Sequence, residues 1–256
     1  MLTELVSGAV ADSNARAIER PLAIVEAAAR DRTPAIDAIA ALAPAERVKI
    51  IAEVKRASPS RGSLAAIPDP ARLAIVYQDA GASAISVLTE ERKFLGSLAD
   101  LEAVRAAVTV PILRKDFIAN AYQVFEARAA GADIVLLIVA ALDQSTLVSL
   151  HELSTDLGMT TLVETHSAEE ISRGLDAGAR LLGVNARNLT TFELDRDLFG
   201  SLADRIPPGV IRVAESAVST AADVAHYRND GAHAVLVGEA LVTSDPRATL
   251  TEFLAV

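Results

Sequence analysis

Asp79-Ala-Gly81-Ala-Ser-Ala-Ile-Ser-Val87 decides the fold, because the chain returns to the same pattern three more times. The later copies are Ala129-Ala-Gly131-Ala-Asp-Ile-Val-Leu-Leu137, Asp176-Ala-Gly178-Ala-Arg-Leu-Leu-Gly-Val184 and Asn229-Asp-Gly231-Ala-His-Ala-Val-Leu-Val237. Each reads as a helix end, a glycine in the left-handed cap position and a buried strand. The glycines fall at 81, 131, 178 and 231, which leaves room for a second strand–helix unit in every interval. Strand signals at Val48–Lys55, Val110–Lys115, Thr161–Glu164 and Val210–Glu215 fill those places. Interleaved, they make eight strands of nearly continuous apolar character, as parallel strands covered by helices should be. Helical patterns lie between them at Pro70–Gln78, Ala121–Ala130, Ala168–Leu175 and Thr220–Tyr227, with Ser167 and Ser219 or Thr220 as N-caps. The alternation predicts an α/β protein, a (β/α)8 TIM barrel. An open doubly wound sheet is the competing architecture. Against it, no Gly-x-Gly-x-x-Gly follows the first strand, and the repeat runs through all eight.

Residues 1–47 precede the first strand and read as an N-terminal helical extension. Leu2, Leu5, Val6 and Ala9 share one helical face, and Pro21–Arg32 is a second helical candidate. Thr33-Pro34 offers an N-cap and first helical position for a third, Ala35–Leu42. The extension can close the barrel floor or cover the mouth, and the pattern leaves both open. The expectation is one barrel domain over residues 1–256, close to the ~250 residues typical of this fold.

Composition narrows the function classes. Hydrophobic residues at 51% and charged residues at 23% describe a globular chain. A net charge of −10 with only 4% aromatics counts against nucleic-acid and anionic-membrane binding. The chain has no cysteine, so thiolate metal sites and disulfides are excluded and a reducing compartment fits. The start carries Glu4 and no basic segment, unlike a signal peptide. The longest apolar run, Ile134 to Leu142, is far short of the ~20 residues that span a bilayer. A soluble, cytoplasmic protein is expected, and a monomer, since no exposed apolar stripe stands out.

In a barrel the working groups sit where strands end. Those ends read Glu53 and Lys55, Thr89, Lys115, Ile138, Glu164, Asn185, Glu215 and Gly238. Glu53 and Lys55, two apart on a strand, project to one face. Structural ion pairing would account for any one of these charges. Five of them at strand ends, with none at strand middles, point instead to acid–base chemistry in one cavity. A lysine crowded by a second lysine and partly desolvated is expected to have a lowered pKa and to donate a proton near neutrality, with glutamates as acceptors. Glu215-Ser216-Ala217-Val218-Ser219 and Gly238-Glu239 follow strands seven and eight, the usual phosphate cradle of the fold. No cofactor motif or metal-ligand spacing is present, and His166, near a strand end, is assigned to the loop.

Together these segments resemble the indole-3-glycerol-phosphate synthase family. The resemblance rests on Ile51-Ala-Glu53-Val-Lys55-Arg-Ala-Ser58-Pro-Ser60, Pro111-Ile-Leu-Arg-Lys115-Asp116-Phe117, Leu162-Val-Glu164-Thr-His166, Gly183-Val-Asn185-Ala-Arg187-Asn188-Leu189 and Ala214-Glu215-Ser216, in family order. It implies a phosphorylated small-molecule substrate, 1-(2-carboxyphenylamino)-1-deoxyribulose 5-phosphate, closed to an indole with loss of carbon dioxide and water, without metal or cofactor. It implies Lys115 as general acid, Glu164 in proton transfer during dehydration, Lys55 on anionic groups or as a second donor, and Glu53 orienting it. Asn185 and Arg187 would position the substrate carboxylate or hydroxyls, and Glu215 would bind the sugar hydroxyls. Ser216, Gly238 and Glu239 would hold the phosphate. Pro59, Phe94 and Phe117 would form the wall for the anthranilate ring, with Ser58 a further substrate contact.

Two positions depart from the family pattern. Ala217 stands where glycine usually follows Glu-Ser, and Leu95 where a second aromatic is common. The competing functions are another phosphate-binding barrel enzyme, such as a sugar-phosphate isomerase, and a non-catalytic metabolite-binding barrel. The first does not call for lysines on strands one and three together with Glu164. The second predicts a gap in the ring of strand-end charges, which has none.

Overall fold

A computed structural model describes residues 1–188, 191 and 193–256; Leu189, the last residue of one quoted motif, lies outside the described residues. Eight parallel strands close into a barrel. They are β1 (Lys49–Val54), β2 (Ala84–Leu88), β3 (Ile112–Lys115), β4 (Ile134–Ile138), β5 (Thr160–Thr165), β6 (Leu181–Asn185), β7 (Ile211–Glu215) and β8 (Ala234–Val237). Closure is made by β1, which aligns Ile51 with Ala84 of β2 and Ile50 with Val235 of β8. The eight strands are those expected, with ends shifted by a residue or two. The repeat glycines take positive φ, from 89° at Gly231 to 101° at Gly81, the left-handed cap read from the sequence.

Helix starts are fixed by side-chain caps. Asp69, Ser97, Asn120, Asp143, Ser167 and Thr220 each accept a backbone N–H three residues on. Thr220 is the cap of α10 (Ala221–Asn229) rather than Ser219, and its capping box with Asp223 explains the choice. Around the barrel run α4 (Pro70–Asp79), α5 (Leu98–Ala107), α6 (Ala121–Ala130), α7 (Gln144–Asp156), α8 (Ala168–Asp176) and α9 (Leu198–Ala203). α10, α11 (Glu239–Val242) and α12 (Pro246–Phe253) complete the layer. Among the described residues, no helix is long and apolar enough to cross a membrane.

The extension does both jobs left open by its sequence. α1 (Leu2–Glu19) lies on the side where strands end, with Arg92 after β2 paired to Asp12 at 2.6 Å and Leu5 lining the cavity described below. α2 (Leu22–Arg30) packs Val25 and Ala29 against Phe125 of α6. The third helix is shorter than expected: it is Ala38–Ala41, capped by Asp37, and not Ala35–Leu42 started by Thr33-Pro34. The cause is Asp133, just before β4, which takes the Ile36 N–H at 2.8 Å and holds that segment against the barrel. Ala38 and Leu42 then join the core inside the barrel with the strand starts Ala84, Ile134, Leu181, Ile211 and Ala234, closing the floor.

A charge does occur within a strand, contrary to expectation. Arg114 of β3 is fully buried, but it faces outward into the helix layer. There it meets Asp116 at 2.9 Å and Glu126 of α6 at 3.0 Å. Alternation explains this: neighbours of Lys115 must point away from the barrel interior.

Candidate active site

Every residue singled out above as catalytic or substrate-binding lines one cavity of about 480 Å³ at the carboxyl ends of the strands. Thr89 does not reach it; its hydroxyl donates to Asp116 at 2.6 Å and accepts from Arg114 at 3.1 Å. Parallel strands end on one rim, so groups far apart in sequence converge there. From β1 and the residue after it come Glu53 and Lys55, Oε1 to Nζ 2.9 Å, with Ser86 of β2 donating to the other Glu53 oxygen at 3.2 Å. The last residue of β3, Lys115, sits between Glu164 of β5 and Glu215 of β7, at 3.6 Å from each. Asn185 of β6 donates to Glu164 at 3.0 Å and accepts from the Ser216 hydroxyl at 2.7 Å and the Arg187 N–H at 3.0 Å. Two glycines make this packing possible. A Cβ at Gly183 would overlap the Glu215 carboxylate, and one at Gly238 would overlap Glu53 and Lys55.

The charges of this ring settle one another. Burial disfavours an ionised Glu53, but Lys55 and Lys115 outweigh it and hold the carboxyl below its usual range. Lys115 corrects the sequence reading. Burial does press its pKa down, as expected, yet Glu164, Glu215 and Glu53 surround it and carry it well above the ordinary lysine value. The proton near neutrality sits elsewhere: burial and the neighbouring Glu164 push Glu215 up to about 8. Lys115 thus stays charged and Glu53 ionised, while Glu215 holds a proton into the neutral range. A raised pKa stabilises the fold fully below the ordinary value of 4.5 and loses that stabilisation as pH rises through about 8. Glu215→Gln removes this titration. Its thermal midpoint relative to the parent should therefore climb as pH rises through that window, which a melting series checks.

Toward the loops, Phe94 and Phe117 stand 6.2 Å apart, centroid to centroid, beside Leu5, Leu136, Ile138 and Pro59. Glu90 fixes Phe94: its carboxylate accepts the N–H groups of Arg92, Lys93 and Phe94. Leu95, the departed position, has φ 55° and is exposed. On the opposite side, Ser216 through Ser219, Gly238 and Glu239 line the wall, with Arg61 paired to Glu239 at 3.0 Å and Arg187 donating to Ser60 at 3.2 Å. Ala217 has φ 57°, directly after Ser216 at 68°, so the position does demand the left-handed region. Ala217→Gly should raise stability by about 1 kcal/mol, read from urea midpoints. Sequence reasoning missed Leu5, Ser60, Ser86 and Glu90. Only Ser86 left a signal, as a lone polar residue in an apolar strand.

A family model for indole-3-glycerol phosphate synthase matches residues 2–253. The chain belongs to the indole-3-glycerol phosphate synthase family. It is 68% identical over 256 residues to the indole-3-glycerol phosphate synthase of Leifsonia xyli subsp. xyli, covering all of this chain and 98% of that one. The Rhodococcus jostii synthase is 56% identical over 255 residues, covering 99% and 94%. Among solved structures, a thiamine phosphate pyrophosphorylase from Pyrococcus furiosus superposes with a TM-score of 0.60 at 14% identity, covering 80% of this chain and 93% of that one. An N-acetylmannosamine-6-phosphate 2-epimerase from Clostridium perfringens gives 0.60 at 14%, covering 78% and 90%. These two share the barrel alone. The activity is that of the synthase family, a lyase reaction in tryptophan biosynthesis that decarboxylates as the indole ring closes.

Proposed function

We propose that this synthase acts on 1-(2-carboxyphenylamino)-1-deoxyribulose 5-phosphate through the lysine–glutamate ring, with Lys115 as the general acid. The observation that carries this is the position of Lys115, its side-chain nitrogen between Glu164 and Glu215 beside an apolar wall. As the ring carbon attacks the ribulose carbonyl, its oxygen becomes an alkoxide, and a fixed ammonium stabilises that charge before transferring a proton. The raised pKa of Lys115 keeps it charged in the free enzyme, and the strongly basic alkoxide supplies the drive for transfer.

Loss of carbon dioxide restores the aromatic ring. Dehydration then removes the hydroxyl as water and a proton from the neighbouring CH2. Glu164, held by Asn185, accepts that proton, and Lys55, held by Glu53, serves the leaving hydroxyl or the substrate carboxylate. Both Glu215 oxygens are buried and lack a hydrogen-bond partner among the described residues, which suits them to the sugar hydroxyls. Arg187 and Asn185 orient the substrate, and Ser216, Gly238 and Glu239 hold its phosphate. Phe94, Phe117, Pro59 and Ser58 flank the anthranilate ring. The same reading takes residues 1–256 as one barrel domain with its 1–47 extension, acting as a cytoplasmic monomer without metal or cofactor.

Purified protein mixed with the substrate, with no metal or nucleotide added, should give indole fluorescence and release carbon dioxide. A folded protein that releases no carbon dioxide but isomerises a sugar phosphate would replace this reading.

A further inference from the structure

His166 stands just behind the cavity, between two carboxylates. It follows the last residue of β5, and its side chain is 15% exposed. Its Nδ1 lies 3.2 Å from Glu170 in the first turn of α8, and the same Glu170 oxygen accepts the His166 backbone N–H at 2.8 Å. The ring is thereby clamped with its other nitrogen turned inward. Nε2 is buried, has no hydrogen-bond partner among the described residues, and lies 3.5 Å from Glu164 Oε1. A buried polar atom left without a partner is unusual enough to need a reason. Glu170 keeps 18% of its side chain exposed and does not line the cavity.

We propose that His166 relays protons between Glu164 and solvent by way of Glu170, a route that stays open while substrate fills the cavity mouth. The inference rests on Glu164 being the base of the dehydration. In that step the C–H bond of the ring CH2 breaks, and its electrons form the indole double bond as the neighbouring C–OH bond breaks. The hydroxyl leaves as water with a proton from Lys55, and Glu164 gains the CH2 proton. Glu164 then protonates Nε2 as Nδ1 releases its proton to Glu170 and on to water. The relay resets the carboxylate for the next turnover, with no oxidation or reduction. The charged groups facing the imidazole are Glu170, Glu164 and, beyond the latter, Lys115. Burial and Lys115 oppose its protonation, but both carboxylates outweigh them, so its pKa lies above the ordinary histidine value. The imidazolium is therefore an accessible state at neutral pH.

The test is the rate of repeated turnover with carboxyphenylamino-deoxyribulose phosphate in excess over enzyme, since a single turnover needs no reset of Glu164. His166→Ala should slow it by about 10- to 100-fold with substrate affinity unchanged, and free imidazole in the buffer should restore part of the loss. His166→Gln keeps shape and hydrogen bonding but cannot titrate, so it should stay slow and lose the limb of the pH profile near neutrality. It also carries the test should the alanine variant fold poorly. A glutamine variant at the parent rate overturns the relay, as does an alanine variant that imidazole leaves unrescued. Glu164→Gln, run in parallel, separates the two readings. If it turns over normally, Glu164 is not the base; if it is inactive while both His166 variants are fast, only the relay falls.

Discussion

Lys115→Ala is expected to lose about 10³- to 10⁴-fold in turnover while remaining folded. The size follows from removing both roles at once, the fixed positive charge at the developing alkoxide and the transferable proton. Lys115→Arg separates them. Arginine keeps the charge but does not give up its proton, so it should recover only the electrostatic part and stay far below the parent. Folding survives because Glu215 already shows how the ring absorbs excess negative charge, by keeping a proton. With Lys115 gone, Glu215 loses the cation that stands 3.6 Å from it, and fuller proton uptake there compensates. The sign is fixed: without that cation the raised pKa of Glu215 rises further, so the variant should lose stability relative to the parent as pH increases. Steady-state kinetics with a melting curve at each pH reads both. Turnover near the parent value in a folded Lys115→Ala would remove this lysine from the mechanism.

How far such a site can be read from sequence depends on which physical quantity is asked for. Gly81, Gly131, Gly178 and Gly231 marked the strand starts because a left-handed residue after a helix has a local sequence signature. Once the strands were placed, parallel topology alone brought Glu53, Lys55, Lys115, Glu164, Asn185 and Glu215 to one rim. What failed was anything decided by the sum of several neighbours. The sign of the Lys115 shift depends on three carboxylates from three strands, and no pairwise reading gives that balance. Thr89 sits at a strand end yet turns to the Arg114–Asp116 pair, a contact made by the backbone path after β2. His166 lies in the loop as read, but its two partners, Glu164 and Glu170, show only once their distances are known. The place of α1 was illegible for a similar reason. Its apolar face fits a floor or a lid equally well, and the Asp12–Arg92 ion pair helps fix it over the mouth.

Arg114→Met should be the most destabilising single change at a polar position, by about 3–5 kcal/mol. Arg114 is fully buried and holds four partners: Asp116 at 2.9 Å, Glu126 at 3.0 Å, the Gln123 carbonyl at 2.9 Å and the Thr89 hydroxyl at 3.1 Å. Methionine fills the space but leaves Asp116 and Glu126 as buried anions without their shared cation. Each keeps some support. Asp116 accepts from Thr89 and the Phe117 N–H, and Glu126 from Arg16 of α1 at 2.6 and 2.9 Å. That support places the loss toward the lower end of the range. It is still a large share of the 5–15 kcal/mol that holds a typical domain together. Arg16→Met is the comparison. Arg16 is 27% exposed on its side chain, so solvent screens the pair and about 1 kcal/mol is expected. Urea unfolding of both variants, monitored by circular dichroism, measures the difference. Activity should follow the same order, because Arg114 and Asp116 flank Lys115 in the chain and Asp116 fixes the backbone of Phe117. The ion chain Arg16–Glu126–Arg114–Asp116 thus ties the extension over the mouth to the strand that carries the proposed acid. An Arg114→Met protein within 1 kcal/mol of the parent would mean that the helix layer repacks around methionine and that this chain does not brace β3.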